Sequence, residues 1–476
     1  MRVVLVHPAG SNWMPGQKDV TSAANRMAPV GLLSMAAYLE ARGQDASVHD
    51  CLGPSAPRGP AANAREILAL DPGLVGFSVT TSAFHDADDM ATAIKAARPD
   101  VRVVFGGVHV SAVREPLLEQ FPSIDYLCLG EGEETLSELA EGRAPREITG
   151  LAWRDGEEIR INAPRAQIED LDTLPFPAYE KLRGFPHGYH LPPFSYILVP
   201  GTTMITSRGC VYQCSYCDRS VFRRGFRSNS AEYIYEHMRH LCRRFGVRHF
   251  NVYDDLFTTN RKRIAELCER LAREPLGVRF NCAVHAGHAD DELLAMLKRA
   301  GCLMISVGME SGDPELLARH KGSVTVDQLR ETVARIQAND MRAKGLFMMG
   351  LPGETPETIR RTCDFILSLG LDDMNLSKFT PFPGAPCFAG IREEGEFTED
   401  WRRMNCLNFV FVPRGFESRE EMDFIYNAHV KQFYSDPEWR RKFRKRLWQH
   451  RHTMLHFIRN LPSFLAAKRQ FENRPK

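Results

Sequence analysis

The sequence predicts an α/β fold in three parts: an N-terminal doubly wound parallel sheet, a partial (β/α)6 barrel and a small helical C-terminal part. Two series of short β-branched runs alternate with amphipathic helical stretches, and a proline-rich connector separates the two series. Strands that alternate with helices form parallel sheets, because each crossover helix returns the chain to the same edge. A chain of 476 residues also has room for about three structural units.

The first series covers residues 1–145 and contains predicted strands at 2–8, 45–50, 73–81, 101–107 and 124–130. Helical patterns at 30–42 and 83–97 carry apolar residues on one face. A sheet of this kind binds its ligand beyond the carboxyl ends of the strands. Small and hydroxyl-bearing residues stand there, which lets a large ligand approach the backbone. The candidates for ligand contact are Ser78, Thr80, Thr81, Gly106, Gly107, His109, Gly130, Glu131 and Gly132.

Residues 146–200 include DTLPFPAYEKL (172–182) and HLPPFSYILVPG (190–201), which show no long helical pattern and indicate a linker. The second series covers 201–390, with predicted strands near 203–209, 249–255, 279–286, 304–311, 343–350 and 375–383. Six strand and helix units predict an incomplete parallel barrel, whose chemistry collects at the carboxyl ends of the strands. Residues 391–476 form the helical C-terminal segment.

The overall composition is that of an ordinary globular protein. It has 25 % charged and 43 % hydrophobic residues, and 61 basic against 60 acidic residues give a formal net charge of +1. This balance produces no global field that would indicate nucleic acid. No run approaches the roughly 18 apolar residues of a membrane helix, and the apolar start is too short for a signal peptide. We therefore expect a cytoplasmic protein whose 12 cysteines form no disulfide framework.

The basic tail, residues 439–476, differs in charge from the rest of the chain. It holds twelve Lys or Arg and one acid, Glu472, for a net of +11, so the residues before it are net −10. Apolar residues such as Phe443, Trp448 and Phe457 interleave with the basic ones. This pattern suits an amphipathic helix on an anionic membrane, and equally a helix docked on the acidic remainder of the molecule. No nucleic-acid module accompanies it, so we expect no nucleic-acid partner.

Three cysteines cluster in C-V-Y-Q-C-S-Y-C at 210–217, at the end of the first barrel strand. Thiolates from Cys210, Cys214 and Cys217 can hold three corners of a cubic iron–sulfur cluster and leave the fourth iron open for a substrate or cofactor. A zinc site would need a fourth ligand, and no CxxC or HxxxH follows nearby. Three unrelated buried thiols are the remaining alternative. The spacing favours the iron–sulfur cluster.

With this CxxxCxxC motif the sequence resembles the radical S-adenosylmethionine (SAM) superfamily, over nearly the whole chain. GGVHVSA (106–112) and GEGEETL (130–136) are similar to loops of the Rossmann-like cobalamin-binding domain that one class of the superfamily carries. GMESGD (308–313), GLPGET (350–355) and TPFPGAP (380–386) are similar to motifs of its TIM-like barrel. That class includes carbon and phosphorus methyltransferases and the anaerobic magnesium-protoporphyrin monomethyl ester cyclase. The resemblance implies a [4Fe-4S] cluster, SAM and cobalamin as cofactors.

The resemblance also implies roles for residues of the barrel. The open iron would bind the methionine part of SAM, Glu310 would accept hydrogen bonds from the bound cofactor, and Gly350 and Glu354 would shape the loop near the adenine. Tyr216 is expected to pack on the cluster loop. Glu310 is alternatively a strand-end carboxylate or a helix-cap partner, and GLPGE by itself is only a turn before a helix.

Two segments depart from the family pattern. After the second barrel strand, Asp254 and Asp255 stand where members often carry a GGEP-like signature, and they either contact SAM or substrate or cap a helix. The D-x-H-x-x-G segment of cobalamin mutases is missing, and the sequence in its place is His49-Asp50-Cys51-Leu52-Gly53. The resemblance therefore implies cobalt without a protein histidine ligand.

Three further histidines are candidates of lower rank. His109 either hydrogen-bonds the cobalamin periphery or is satisfied by backbone, and His285 and His288, at the end of the third barrel strand, are candidates for substrate contact only.

The implied function is methyl transfer to an unactivated carbon of a lipid, isoprenoid, tetrapyrrole or other natural-product precursor. A deoxyadenosyl radical would remove a substrate hydrogen, a methyl group would arrive by way of cobalamin, and an electron donor such as flavodoxin or ferredoxin would reduce the cluster. The first alternative is a radical oxidative cyclase of the porphyrin ester type. The second is a cluster- and cobalamin-binding sensor without enzyme activity. Membrane contact by the basic tail would place the protein at the inner membrane face and favour a hydrophobic substrate.

Overall fold

The computed structural model describes residues 1–10, 25–192, 194–451 and 453. The predicted fold class is confirmed: a mostly parallel seven-stranded sheet precedes a six-stranded parallel sheet. In the N-terminal sheet the strand order is β2-β1-β3-β4-β5-β6-β7. The strands are β1 (Val3–His7), β2 (Ala46–Asp50), β3 (Leu74–Ser78), β4 (Arg102–Gly106), β5 (Tyr126–Cys128), β6 (Leu151–Asp155) and β7 (Glu158–Ile161).

The first five strands follow the five apolar runs expected from the sequence and pair in parallel register. The strand order reverses between β1 and β3, and a crevice opens at such a reversal. Helices cover both faces of this sheet, and two apolar clusters form its core. The helices are α1 (Val30–Ala41), α2 (Pro60–Leu68), α3 (Phe84–Ala97), α4 (Val108–Val113), α5 (Pro116–Gln120) and α6 (Glu133–Ala140).

The segment 146–200 is more than the linker that its prolines indicate. Its first part forms the hairpin β6–β7, which adds two antiparallel strands to the edge of the N-terminal sheet. Gly156 makes the turn with a φ of +66°, a conformation that glycine adopts without steric cost. Farther along, buried Tyr179 donates a hydrogen bond to the Thr203 carbonyl at 3.1 Å, so the connector packs against the first barrel strand.

The second sheet is the predicted partial barrel, with order β15-β14-β13-β12-β11-β8 and every pair parallel. A short antiparallel hairpin, β9–β10, interrupts the series after its first strand. Six strands cannot close a barrel that needs eight, so the sheet curls and leaves one side open. The strands are β8 (Gly201–Met204), β9 (Ser207–Arg208), β10 (Arg227–Ser228), β11 (His249–Val252), β12 (Arg279–Val284), β13 (Cys302–Glu310), β14 (Arg342–Met349) and β15 (Asp373–Lys378).

The barrel helices begin at polar residues whose side chains accept hydrogen bonds from the first turn, which satisfies amides that have no partner within the helix. The N-caps are Ser230, Asn260, Asp290, Asp313, Thr325 and Thr355. The corresponding helices are α7 (Ala231–Phe245), α8 (Arg261–Arg273), α9 (Asp291–Arg299), α10 (Pro314–His320), α11 (Val326–Ala338) and α12 (Pro356–Ser368).

The C-terminal part is helical, as predicted, and also contains a small two-stranded sheet. Its elements are α13 (Ile391–Glu394), β16 (Gly395–Phe397), β17 (Phe411–Pro413), α14 (Arg419–Ser435) and α15 (Pro437–Arg446). Helix α14 lies along the outer edge of β15. There Tyr426 donates to the Leu376 carbonyl at 2.8 Å and Tyr434 to the Met374 carbonyl at 3.3 Å. These bonds occupy backbone acceptors that an edge strand would otherwise leave open.

The described start of the basic tail docks on the barrel. Trp439 donates to the Asp372 carbonyl at 3.0 Å, and Arg446 forms an ion pair with the Asp372 carboxylate. Buried His450 lies between the Tyr196 carbonyl, at 3.1 Å, and the Arg342 guanidinium, at 2.9 Å. This stretch therefore follows the docked-helix alternative, and residues 452 and 454–476 lie outside the described residues. Within the described part of the chain, no helix combines the length and apolarity required to cross a bilayer.

Candidate active site

The three clustered cysteines lie on the loop of the β9–β10 hairpin. Gly209 begins this loop with a φ of +86°, and a Cβ there would lie 2.6 Å from the Gly225 carbonyl oxygen, so the backbone needs glycine. Ser215 fixes the centre of the loop: its amide donates to the His320 carbonyl at 2.9 Å, and its hydroxyl contacts the His320 Nδ1 at 2.8 Å. The loop is therefore held at both its base and its middle.

The thiols of Cys210, Cys214 and Cys217 are free and half-buried. Burial, with neighbouring Cys214, Asp255 and Cys210, raises the pKa of the Cys217 thiol to about 12. Burial likewise raises the pKa of Cys210, where Asp255 and Cys214 add to the effect. These mutual effects show that the three sulfurs lie close together.

This donor set fits a cubane cluster. Among the described residues, no group of three or more His, Cys, Asp or Glu side chains is arranged around one point where a single metal ion would sit. A cubane differs from a single-ion site because each cysteine binds a separate iron. Three free thiols on one loop, with no fourth side-chain ligand in the described part of the chain, match a [4Fe-4S] cluster that keeps one iron open.

A cavity of about 480 Å³ lies between the cluster loop and the carboxyl ends of the N-terminal strands. Glycines allow its wall to pack closely: a Cβ on Gly107 would lie 2.8 Å from the Val79 carbonyl oxygen, and one on Gly132 3.0 Å from the Met35 sulfur. On the side of the sheet it continues as a slot lined by Leu5, Met35, Gly76, Val104 and Leu136. A large planar ligand with an apolar appendage, such as cobalamin, fits these walls.

Most of the expected contact residues of the N-terminal domain line this cavity together with part of the cluster loop. The predicted residues at the cavity are Ser78, Gly106, Gly107, Gly130, Glu131, Gly132, Cys210, Cys217 and Asp255. Thr80 is solvent-exposed instead, and Thr81 is buried beneath the loop.

His109 is also buried away from the cavity. Its Nδ1 contacts the Thr81 hydroxyl at 3.2 Å, and its ring packs edge-on against Trp401 at 4.4 Å. Burial lowers the pKa of His109 to about 3, so the ring is neutral. His49 contacts the side-chain amide oxygen of Asn63 through Nε2 at 2.8 Å and does not line the cavity either. Both histidines already have protein partners inside the N-terminal domain.

Glu131 is engaged by arginines as well as lying at the cavity. Its carboxylate contacts Arg208 at 2.7 Å and Arg227 at 3.0 Å, and Glu133 contacts Arg208 at 2.5 Å. All four side chains are largely buried. Sequence reasoning missed the two arginines and Glu133. The signal was available, because Glu131 and Glu133 are separated by a single glycine, and two acids so close together indicate a cationic partner.

The two aspartates after β11 take different places. Asp254 is buried and accepts from the Thr206 amide and hydroxyl, both at 2.5 Å, and from the Ser207 amide at 3.2 Å, beside Arg263 at 3.7 Å. Its oxygens are therefore used within the protein. Asp255 is exposed at the cavity and accepts from the Gly209 amide. Of the pair, only Asp255 is placed to contact a cofactor.

Glu310 ends β13 with a φ of +61°, a conformation that costs a non-glycine residue energy and is common at functional sites. Lys321 contacts the Glu310 carboxylate at 3.0 Å and also donates to the Gly308 carbonyl at 2.8 Å. Tyr216 reaches the same group: burial, together with Glu310 and Cys214, raises the pKa of Tyr216. The carboxylate thus lies beside the cluster loop, as expected, and Lys321 is a residue that the motif alone did not reveal.

Gly350 and Glu354 form a closed loop under the C-terminal part. Buried Glu354 accepts from the Gly350 amide, and its Oε1 has no partner among the described residues. Burial raises the pKa of Glu354 to about 8, so the carboxyl is protonated at neutral pH. A Cβ on Gly350 would lie 3.0 Å from the Met422 methyl carbon, so this loop packs against α14.

His285 and His288 contact the cluster loop rather than open space. Tyr212, between the first two cysteines, stacks on His285 with ring centres 4.0 Å apart, and its hydroxyl contacts His288 Nε2 at 3.1 Å. Burial, with Lys321 and His288, lowers the pKa of His285 to about 4. The two histidines therefore support Tyr212 at the mouth of the barrel.

Family models match both halves of this architecture. The B12 binding domain matches residues 16–140, and the Radical SAM superfamily matches residues 204–366. Fold and cysteine loop thus define a radical SAM enzyme, and the sensor without activity is not supported. The chain thus carries a B12 binding domain in front of a radical SAM barrel, the domain order of the cobalamin-binding class of that superfamily. The predicted cofactors, a [4Fe-4S] cluster, SAM and cobalamin, are confirmed by these two domains.

Individual relatives extend over most of the chain. An uncharacterized methyltransferase of Pyrococcus horikoshii is 29% identical over 381 residues, which cover 79% of this chain and 81% of that protein. The anaerobic magnesium-protoporphyrin IX monomethyl ester cyclase of Cereibacter sphaeroides is 27% identical, covering 91% of this chain and 70% of the cyclase. Among solved structures, the methyltransferase TsrM of Kitasatospora setae has a TM-score of 0.65 at 22% identity, covering 83% and 75% of the two chains. The last similarity concerns the fold.

Proposed function

We propose that the protein is a cobalamin-dependent radical SAM methyltransferase that acts on an unactivated carbon of a small polar molecule. The observation that carries this proposal is the shared cavity: the strand ends of the B12-binding domain and two of the cluster cysteines line one space. When bound, the cluster with SAM supplies removal of a hydrogen atom from the substrate, and cobalamin supplies the methyl group. The same substrate carbon loses the hydrogen atom and receives the methyl group, so both cofactors must lie close to it.

The chain's own residues would hold and orient these groups. Cys210, Cys214 and Cys217 would hold three irons, and Glu310 and Asp255 would accept hydrogen bonds from SAM. Ser78, Gly106, Gly107, Gly130 and Gly132 would approach the corrin with their backbone. Tyr216 would fix the orientation of Glu310 and shield the cluster from water on that side.

Oxidative cyclisation is the second candidate function. It is supported by the porphyrin ester cyclase, whose alignment extends over 91% of this chain. Incubation of the reconstituted enzyme with SAM carrying a labelled methyl group, in a metabolite extract, separates the two. Methyl transfer gives a labelled product together with S-adenosylhomocysteine and 5′-deoxyadenosine, whereas cyclisation gives 5′-deoxyadenosine and an unlabelled oxidised product.

The polar character of the substrate is inferred from the inner face of the barrel. Met374 and Leu376 of β15 pack among the helices, so the alternating residues Asp373, Asn375 and Ser377 face the interior. By the same alternation Ser306 of β13 and Lys344 of β14 face it too, and Leu346 and Met348 of β14 add apolar surface nearer the carboxyl end. In a closed eight-stranded barrel such positions hold large aliphatic side chains that fill the core.

These inward groups are available to a ligand. Ser306, Asn375 and Ser377 make no side-chain hydrogen bond within the described residues. Lys344 contacts Asp373 at 2.8 Å and retains two further ammonium hydrogens, while Tyr434 donates to the other oxygen of Asp373 at 3.1 Å. A hydrocarbon ligand would leave these groups without partners, at a cost of about 1–3 kcal/mol each. A substrate with hydroxyl, amide or anionic groups would satisfy them.

Replacement of Lys344 tests this inference. Lys344→Met should weaken the stimulation of SAM cleavage by the substrate identified above, because the inward ammonium is lost. Lys262→Met, at an 87 % exposed position of α8, is the matched control and should behave like the native enzyme. Equal stimulation in both variants would contradict a polar substrate in the barrel.

An acidic electron donor such as flavodoxin or ferredoxin is the partner that fits the cluster loop. Arg224 is exposed beside Cys210, with which it forms an isolated backbone bridge, and its guanidinium donates to the Gln213 side chain at 3.2 Å. Arg224→Glu should lower SAM cleavage driven by flavodoxin and leave cleavage driven by dithionite unchanged, because a small reductant needs no docking surface. An equal loss of SAM cleavage with flavodoxin and with dithionite would contradict a docking surface at Arg224.

Peripheral membrane contact is the alternative proposal for the tail beyond its docked start, and it would favour a hydrophobic substrate over the polar one. Clustered basic residues are attracted to anionic lipid by about 1 kcal/mol each near the surface. Removal of residues 454–476 should abolish sedimentation with anionic vesicles and preserve the cluster. If the full chain and the truncated chain sediment alike, the tail is not a membrane element.

A further inference from the structure

The base of the cluster loop brings two positive charges together, and the carboxylates that neutralise them come from the N-terminal domain. Arg208 and Arg227 lie directly opposite each other in the β9–β10 hairpin. Like charges in this position destabilise an antiparallel pair. Both side chains are largely buried, at 14% and 15% exposure, so solvent screens the repulsion weakly. The hairpin that presents the three cysteines therefore needs an anion at its base.

The N-terminal domain supplies that anion. Glu131 bridges the pair, with one carboxylate oxygen 2.7 Å from Arg208 and the other 3.0 Å from Arg227, and its side chain is 4% exposed. The second oxygen also accepts from the Ile168 amide at 2.9 Å, and Glu133 adds a contact with Arg208 at 2.5 Å. Arg227 Nη2 has no partner within the described residues. Removing Glu131 would thus leave Arg227 with the Ile168 carbonyl as its one remaining acceptor there.

The loop of residues 130–133, which contains Glu131, forms the floor of the cavity that fits cobalamin. Gly130 and Gly132 flank Glu131 and line the cavity, and the side chain of Arg208 lines it as well. A ligand that fills the cavity restrains the loop of residues 130–133, and through Glu131 it restrains the hairpin base two residues before Cys210. Conversely, an ordered hairpin holds the floor of the cavity in place.

We propose that Glu131 is a positioning residue that couples the two cofactor sites, so that a cluster on the hairpin tightens cobalamin binding and bound cobalamin stabilises the cluster. The two effects must be equal in size, because coupling between binding sites is reciprocal. The proposal concerns assembly of the holoenzyme and holds whichever reaction the enzyme performs.

The test compares hydroxocobalamin affinity of the full chain with and without its reconstituted cluster, by spectroscopic titration. In the native protein the cluster should lower the Kd about 5-fold or more, the lower range of measured couplings. In Glu131→Gln the two Kd values should converge although both cofactors still bind. Glu134→Gln is the matched control: its carboxylate pairs with Arg165 at 2.8 Å on the surface, and the native ratio should persist.

A second variant keeps the test decisive if Glu131→Gln does not fold. The double variant Arg208→Gln/Arg227→Gln removes both opposed charges and with them the ion pairs that tie Glu131 and Glu133 to the hairpin, so the ratio should also approach one. A native protein with no cluster-dependent change in Kd would overturn the proposal. So would a native ratio in either Glu131→Gln or the double variant, or an equal loss in Glu134→Gln. None of these readouts requires methyl transfer.

Discussion

Replacing Asp254 by Asn should destabilise the first two barrel strands by about 3 kcal/mol, whereas the same change at Asp255 should alter their stability by less than about 0.5 kcal/mol. The Asp254 side chain has no exposed surface, and Arg263 beside it is 3% exposed. Removing one partner of a buried ion pair costs about 3–5 kcal/mol because a charge remains uncompensated. We take the lower end, since Arg263 keeps the Thr206 carbonyl at 2.9 Å and the Phe257 carbonyl at 2.6 Å.

Native-state hydrogen exchange measures this locally, because it reports the opening free energy of individual segments. Amides in peptides that contain β8 and β11 should exchange roughly 100-fold faster in Asp254→Asn, since each 1.4 kcal/mol is a factor of ten. Asp255→Asn should exchange like the native chain and should instead weaken SAM binding. Equal exchange in the two variants, or acceleration by Asp255→Asn alone, would refute the assignment of Asp254 to structure and Asp255 to the cofactor.

Three further predictions concern the cluster, the cobalt and acid stability. Alanine at Cys210, Cys214 or Cys217 should abolish iron–sulfur absorbance and SAM cleavage, whereas Cys242→Ala should retain both, and a full cluster in the triple variant would contradict the ligand set. Electron paramagnetic resonance of the cobalt(II) form should lack nitrogen splitting from the lower face; a splitting that disappears in His49→Ala or His109→Ala would show a protein ligand. Burial lowers the pKa of His109, His237 and His249 to about 3. As the pH falls below the unfolded value of about 6.5, the unfolded chain gains protons that the folded chain excludes, so each histidine should cost about 2 kcal/mol of stability at about pH 5. The urea concentration at the unfolding midpoint should decrease as the pH is lowered from neutral to about 5, and it should decrease less in His237→Gln. If the midpoint decreases equally in the native chain and in His237→Gln, the buried His237 ring is not neutral.

The parallel strands could be predicted because each is a short β-branched run followed by a helical pattern, and local sequence contains both signals. The hairpin β6–β7 was missed because a proline-rich stretch follows it, although the turn at Asp155-Gly156 is a typical hairpin signal. Registers, edge contacts and the docking of α14 depend on residues far apart in sequence. No local pattern reveals them.

The same limit applies to the site. The cysteine loop was predictable because its three ligands are close in sequence and their spacing is specific. An acid after a strand looks alike whether it faces a cofactor or accepts hydrogen bonds from a distant part of the chain, as Asp254 does from Thr206, so Asp254 and Asp255 could not be told apart. Glu131 has its partners 77 and 96 residues away, and His109 has Trp401 from the C-terminal part against its ring.

The inward row of Ser306, Lys344, Asn375 and Ser377 has a consequence for how this scaffold diversifies. Stability of the barrel comes from the opposite faces of the same strands, where Ile305, Phe347 and Leu376 pack against helices. If the proposed substrate binds there, substitution on the inner face exchanges ligand contacts without opening a void in the packed core. A lineage that changes these inner side chains can acquire new substrates by single mutations while the fold and both cofactor sites persist.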